Sequence, residues 1–291
     1  VKSKFTINDI KKKTSIRKPQ QPFITSTLQQ EASNKFKMSP KNTMKSAQIL
    51  YENGYITYMR SDSITLSSEA KENIKSFIQS NFGDDYYDNK EYKNKSANCQ
   101  EAHEAIRPCK IETEDISKDP NMTKYEIKLY KLIWNRTIAC QMSNAKVELV
   151  SNIINGDKLP NDYHFINKNE NIIFDGFLKV YNYEETNEDS QREEILPTKA
   201  KFNKNDRVNY LEIKGSEKFS RPSNTRYTEA SLIKKLDELG IGRPSTFASM
   251  VSIVQDRKYV DKKDIEPVNK YAVCINLLKG ATCLEEKKME T

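Results

Sequence analysis

The stretch TKYEIKLYKLIWNRTIACQM, Thr123 to Met142, carries the strongest helical signal in the chain. Thr123 and Glu126 stand at capping-box spacing, and Met122 and Ile127 flank them as a hydrophobic staple. Ile127, Tyr130, Ile133 or Trp134, and Ile138 recur on one helical face. Directly afterwards the period changes. VELVSNIIN, DYHFIN, NIIFDGFLKVY and DRVNYLEIK are β-rich runs separated by Asn, Asp, Gly and Pro, which predicts strands from about Val147. An acidic stretch, EETNEDSQREE, interrupts them and reads as a solvent-exposed loop.

Upstream the signals are helical. In SPKNTMKSAQILYENG, Ser39 can cap and Pro40 suits the first helical position. Met44, Ala47 and Leu50 share a face, and Gly54 follows the end. ITSTLQQEAS offers Thr25, Ser26 and Thr27 as caps. In LSSEAKENIKSFIQSNFG, Ser67 is the cap and Ala70, Ile74, Phe77 and Ile78 form the buried stripe. Residues 1 to 21, basic and broken by Pro19, read as a linker entering a domain. At Thr228 the helical period returns. TEASLIKKLDELG puts Leu232, Leu236 and Leu239 on one face, IGRP makes a tight turn, and STFASMVSIVQDR restarts with Phe247, Met250, Val251 and Val254 inward. Two helices around a short Gly-containing turn are similar to a helix-turn-helix. The order is helical, then β, then helical, with no internal repeat.

A chain of 291 residues has room for two or three domains. Hydrophobic residues make up 36% and charged residues 31%, which suits an open, multidomain shape with much surface. The net charge of +7 favours polyanions, and nucleic acid is the commonest of these. Cys99, Cys109, Cys140, Cys274 and Cys283 form no C-x-x-C pair, and His103 and His164 are the only histidines. That argues against a zinc site or a disulfide framework and for reduced intracellular thiols. No apolar run reaches the ~18 residues of a membrane span. The sequence opens on Val rather than Met and is read as a piece of a longer protein.

Three elements carry chemistry. In GYITYMRSDS, Gly54 to Ser63, an extended backbone would place Ile56, Tyr58, Arg60 and Asp62 on one side and Thr57, Met59 and Ser61 on the other. Same-side neighbours then lie ~6.6 Å apart, so a guanidinium could meet a phosphate attacked by the tyrosine oxygen. A phenol is a weak nucleophile at neutral pH, since its ordinary pKa is ~10, and it needs nearby positive charge or a base. It leaves more readily than a serine alkoxide, so a phosphotyrosine ester can be resolved without water. By itself, Tyr-x-Arg is a common accident and a tyrosine is more often a packing residue. The second element, QEAHEAIRP, flanks His103 with Glu101 and Glu104, and helical spacing would bring Arg107 to its face. In the third, ELGIGRPSTFAS, Arg243, Ser245 and Thr246 open a helix where backbone N–H groups, hydroxyls and a guanidinium can receive an anion. An ordinary helix cap explains that pattern equally well.

Together the three elements resemble type IA DNA topoisomerases of the bacterial topoisomerase I kind. PFITSTLQQEAS, GYITYMRSDS, EAHEAIRP, LYKLIWNRTIACQM and YTEASLIKKLDELGIGRPSTFASMVSIVQDRKYV all look like blocks of that family, in family order. The resemblance implies a mixed α and β multidomain fold. Residues 1–17 would be a strand or linker leading into the arch. Residues 18–142 would be a helical domain bearing the catalytic tyrosine and swinging as a gate. Residues 143–220 would be a β-rich arch, and 221–291 part of the helical domain that forms the single-strand groove. It implies Tyr58 as the nucleophile that takes the 5′ phosphate of a cut strand, Arg60 as the residue holding the scissile phosphate, and His103 as an aid to site assembly. Arg226, Arg243, Ser245, Thr246 and Asp62 would contact DNA. Ser61 stands where the family often has Thr, which keeps the hydroxyl.

The family's Toprim domain supplies an acidic Mg²⁺ site. No D-x-D pair occurs in this sequence, so no metal ligands are assigned here, and catalysis by these residues alone is not expected. The implied partner is DNA, single-stranded or negatively supercoiled. The implied protein is a monomer located with the DNA inside the cell. A topoisomerase III or reverse gyrase type is a sibling reading, and a catalytically silent single-strand-binding module of the same fold is an alternative of another class.

Overall fold

In the computed structural model, Thr123 and Glu126 close the start of the longest helix as the capping box requires. The Glu126 carboxylate accepts from the Thr123 amide at 3.0 Å and from its hydroxyl, and the Thr123 oxygen accepts from the Tyr125 amide. The other Glu126 oxygen accepts from the Ser46 hydroxyl at 2.5 Å, so the cap also joins two helices. Burial pushes the Glu126 carboxyl up, but these donors outweigh it and hold the group below its ordinary value.

The structure describes residues 3–92, 103–160, 162–181, 202–209, 212–216, 226–263, 271–278 and 285–290. The acidic loop and Glu101 lie outside the described residues, as do Cys99 and Cys283. The helices are α1 (Thr25–Phe36), α2 (Pro40–Glu52), α3 (Ser68–Phe82), α4 (Lys124–Cys140), α5 (Glu229–Glu238) and α6 (Phe247–Asp256). The strands are β1 (Phe5–Arg17), β2 (Ala145–Gly156), β3 (Phe165–Phe174), β4 (Arg207–Val208), β5 (Glu212–Ser216), β6 (Tyr271–Leu278) and β7 (Glu285–Glu290). The fold is mixed α and β, as expected. One antiparallel sheet has the order β3-β2-β1-β4 and a second the order β5-β6-β7.

One reading is narrowed and one corrected. The basic leading segment, expected as a linker or arch-entry strand, is a strand, with β1 paired to β2 along its length. Its β-branched residues sustain the extended backbone, and its Lys11–Lys12–Lys13 run keeps a largely open edge charged. The chain also does not stay helical after α6, because YAVCINLL and EEKKME form β6 and β7 against β5.

The principal core is built from α1 to α4 and the segments between them. It includes Phe23, Leu28, Leu50, Ile56, Met59, Ile74, Ile106, Tyr130 and Ile133. In α5 the buried residues are Ala230 and Ile233; Leu232 and Leu236 pack only partly, and Leu239 is 59% exposed at the helix end. The face predicted for this helix is therefore rotated. Ile233 joins Phe247 and Val251 of α6 in a small second core.

Two glycines end helices in the same way. Gly54, at φ +72°, follows α2. Its amide donates to the Tyr51 carbonyl and the Tyr55 amide to that of Leu50, both at 2.9 Å. Gly240, at φ +67°, follows α5, and there the Gly240 and Ile241 amides reach Asp237 and Leu236. Both are Schellman closures, which need the left-handed conformation that glycine adopts without strain. One launches the Tyr58 segment and the other the GRPS turn.

The sheet is anchored to the helices by a buried polar cluster. The Arg136 Nε donates to the Gln21 carbonyl at 2.8 Å, and its Nη1 reaches Glu31 at 3.3 Å and the Tyr181 hydroxyl at 3.2 Å. The Tyr181 hydroxyl also donates to Glu31. The guanidinium lies 4.5 Å from the Phe23 ring centre. Arg136→Ala should destabilise the fold by about 1.5–3 kcal/mol, because it removes the charged hydrogen bonds to Gln21, Glu31 and Tyr181 while Glu31 keeps Lys35 and the Tyr181 hydroxyl. Denaturant unfolding of the variant checks this, and a loss below about 1 kcal/mol would show that the cluster is not an anchor.

Candidate active site

The Tyr58 segment does not join a regular sheet. It runs beside His103–Pro108, joined through an isolated bridge between Ile56 and Pro108. The expected alternation holds from Thr57 onward. Tyr58 is 42% exposed and Arg60 is exposed, while Met59, Ser61 and Ser63 are buried. Asp62 is half-buried. Ile56 departs from the expected pattern: it is buried, because the chain is still turning out of the Gly54 closure and plants this side chain in the core.

The inward residues are pinned by hydrogen bonds. The Thr25 hydroxyl donates to the Met59 carbonyl at 2.8 Å and accepts from the Ser61 amide at 3.0 Å. The Thr25 amide donates to the Ser61 carbonyl at 2.9 Å. Thr25 is therefore not a cap; it clamps the backbone on both sides of Arg60. Thr27 satisfies the start of α1 instead, accepting from the Ile24 amide at 3.1 Å. The Ser61 hydroxyl donates to the Glu104 carbonyl at 2.6 Å, and the Thr57 hydroxyl to that of Ala105 at 2.7 Å.

The second element is extended, not helical, from His103 to Pro108. The Ala105 and Ile106 amides donate to the Thr65 and Phe23 carbonyls, and this pairing outcompetes a helix. Helical spacing therefore does not bring Arg107 to His103. Arg107 instead grips Glu104, with Nη2 to Oε2 at 2.7 Å and Nε to Oε1 at 3.4 Å. Glu104 also accepts from the Ser67 amide at the start of α3, at 2.6 Å. His103 does lie edge-on to Tyr58, with ring centres 6.4 Å apart. Tyr51, which the sequence reading passed over, stacks edge-on against the other side of Tyr58 at 5.3 Å. Its place at the end of α2, seven residues before Tyr58, was the available signal.

The third element reaches the same place. Ser26 of α1 donates to Asp237 of α5 at 2.7 Å, and α2 packs on α6. This brings Ser245, exposed in the GRPS turn, to line one groove with Arg60. Thr246 and Arg243 serve the turn: the Arg243 amide donates to the Thr246 hydroxyl at 2.8 Å, and the guanidinium to the Gly242 carbonyl at 2.7 Å. Gly242, at φ +89°, holds a backbone conformation that L side chains rarely adopt, and a Cβ there would also press to 3.0 Å from the Met250 sulfur. Arg226 is exposed two residues before the Thr228 cap of α5 and does not line this groove.

The site thus presents a half-exposed phenol between two rings, an exposed guanidinium two residues on, and a serine facing it across a groove. The DNA topoisomerase family profile matches residues 1–289. The chain belongs to the bacterial-type DNA topoisomerase family. It is 45% identical over 278 residues to the mimivirus protein named DNA topoisomerase 1 type prokaryotic, covering 93% of this chain and 32% of the relative. It is 45% identical to DNA topoisomerase 1 of Rickettsia felis, covering 90% of this chain and 35% of that protein. The solved full-length topoisomerase I of Thermotoga maritima superposes with a TM-score of 0.70 at 32% identity, over 90% of this chain and 42% of that one. The chain spans about a third of the length of these curated relatives.

Among the described residues, no three His, Cys, Asp or Glu side chains come together where they could hold a metal ion. The described residues do not fit a metal site. Among the described residues no helix is long and apolar enough to cross a membrane.

Burial pushes the Glu104 carboxyl up, but the Arg107 fork and the two Ser67 contacts outweigh it and hold the group below its ordinary value. A depressed folded pKa stabilises above the unfolded value of about 4.5, and that contribution is lost as pH falls through the folded value. The stability gap between wild type and Glu104→Gln should therefore be full at pH 7 and close below about pH 4.5. Unfolding of both proteins at the two pH values measures it; a gap unchanged by pH would exclude this linkage.

Proposed function

We propose that this chain is the tyrosine-bearing part of a type IA topoisomerase, which cuts one DNA strand through a 5′-phosphotyrosine, passes a strand and reseals the cut. The observation that carries the reading is the presentation of Tyr58 and Arg60. Both project outward from a backbone clamped at Met59 and Ser61, and Arg60 lines a groove shared with Ser245. A pinned segment holds a nucleophile and a cation in fixed relation, which is what attack on a backbone phosphate requires.

In the proposed step the Tyr58 oxygen bonds to phosphorus as the bond to the 3′ oxygen breaks. The phenol loses a proton and the 3′ oxygen gains one. One phosphoester replaces another, so resealing is the same step reversed and no nucleotide hydrolysis is needed. Arg60 binds the non-bridging oxygens and stabilises the charge that develops on them. Its planar fork can meet two oxygens at once. His103, on the edge of the Tyr58 ring, hydrogen-bonds near the phosphate. Ser245, Arg243, Thr246, Arg226 and Asp62 contact the strand. The whole protein would relax negatively supercoiled DNA and act as a monomer beside it. None of the described residues is assigned to the Mg²⁺ of this chemistry.

Tyr58→Phe in the full-length protein should abolish the covalent adduct with labelled single-stranded DNA and leave binding within about twofold, since only the attacking oxygen is lost. A persisting adduct would remove Tyr58 from the mechanism, and a wild type that binds but never forms one would favour a silent binding module.

Arg60→Lys should slow cleavage by about 10²-fold or more, the scale of losing one preorganised transition-state contact. A near-normal single-turnover rate would make Arg60 a structural residue.

A further inference from the structure

The groove that holds Arg60 and Ser245 has a volume of about 320 Å³ and a second cation in its wall, Lys41. Lys41 is exposed in the first turn of α2, a turn that contains no acidic residue. Ser249 and Ser252 of α6 line the opposite wall. Neither a carboxylate nor an aromatic side chain is among the lining residues.

This composition narrows the ligand. Ser249 and Ser252 already donate to the Thr246 and Ala248 carbonyls, so the donors left for a ligand are two cations and the Ser245 hydroxyl, and with no carboxylate beside them they select an anion. The absence of an aromatic face removes the usual platform for a stacked base. What fits is a run of phosphates, read without reference to sequence. Arg60, two residues from the phenol, accounts for one phosphate, and Lys41 stands in the same groove on a different element.

We propose that Lys41 holds a backbone phosphate of the single strand next to the one held by Arg60, and so sets where along the strand Tyr58 attacks. Lys41 is a positioning residue, and its role rests on the DNA reading above. Its compact ammonium suits an electrostatic contact rather than a two-oxygen grip.

The test uses the full-length protein carrying Tyr58→Phe, so that binding is read without cleavage. Affinity for a fluorescent single-stranded oligonucleotide is measured across a series of KCl concentrations. Each lost phosphate contact lowers the slope of log K against log salt by about 0.7 on single strands. Lys41→Gln should lose about that much slope and bind several-fold more weakly, whereas Lys41→Arg should keep the slope. Lys45→Gln is the control, an exposed lysine on the same helix outside the groove lining. It should leave the slope unchanged.

With Tyr58 restored, Lys41→Gln should raise KM and spread cleavage over neighbouring positions of the strand, and cleavage confined to the parent's position would overturn the positioning role. A Lys41→Gln slope equal to that of the parent, while the parent binds with steep salt dependence, would overturn the proposal alone. Equal losses in Lys41→Gln and Lys45→Gln would also overturn it, as the signature of a diffuse basic surface. A parent that binds without salt dependence would overturn the DNA reading itself.

Discussion

The hydroxyl of Thr25 donates to the Met59 carbonyl and accepts from the Ser61 amide, so both backbone neighbours of Arg60 are held by the first turn of α1. A buried hydroxyl used in both directions leaves no unsatisfied polar atom and allows little rotation. The outward reach of Tyr58 and Arg60 follows from it. Side chains alternate along an extended backbone, so fixing Met59 and Ser61 inward obliges their neighbours to face out. Ser61 and Thr57 extend the clamp to the His103 segment, which explains how His103 comes to lie against Tyr58.

The two walls of the groove differ in cohesion. The wall carrying Arg60 belongs to the principal core, which runs through α1 to α4. The wall carrying Ser245 rests on a core of Ile233, Phe247 and Val251. Three buried side chains contribute roughly 5–9 kcal/mol of burial free energy, well short of the roughly 20–40 kcal/mol it costs to order the backbone of two ten-residue helices. This helix pair therefore depends on its packing against α1 and α2 and on the Ser26–Asp237 hydrogen bond. One hydrogen bond to a charged group adds about 1.5–3 kcal/mol.

Local signals in the sequence were enough for α2, α3 and α4. Ser39, Ser67 and Thr123 cap them as their types require, and the predicted stripes of Ala70, Ile74 and Ile78 are buried. Tyr58 and Arg60 were legible for a similar reason, since a period of two is a local property. What depended on distant partners was not legible. Thr25 looks like a cap until Met59 and Ser61, 34 and 36 residues on, compete for its hydroxyl. His103 to Pro108 has helical spacing, yet carbonyls from Phe23 and Thr65 claim its amides. Leu239 completes a leucine stripe on paper but falls at the Gly240 closure, where the helix has already ended. Lys41 is silent as a sequence feature, because an exposed lysine in a first helical turn acquires meaning only from the wall across the groove.

The cluster of Arg136, Glu31 and Tyr181 has a mechanical consequence. Tyr181 follows the β3 strand and a short turn, while Glu31 sits on α1 only six residues beyond Thr25. At 1.5 Å per residue those two points on the helix are about 9 Å apart. A helix is stiff over that length, so α1 acts as a short rod with the Tyr181 segment held at one end and the Tyr58 segment at the other. A displacement of Tyr181 would be passed along it to the backbone on both sides of Arg60.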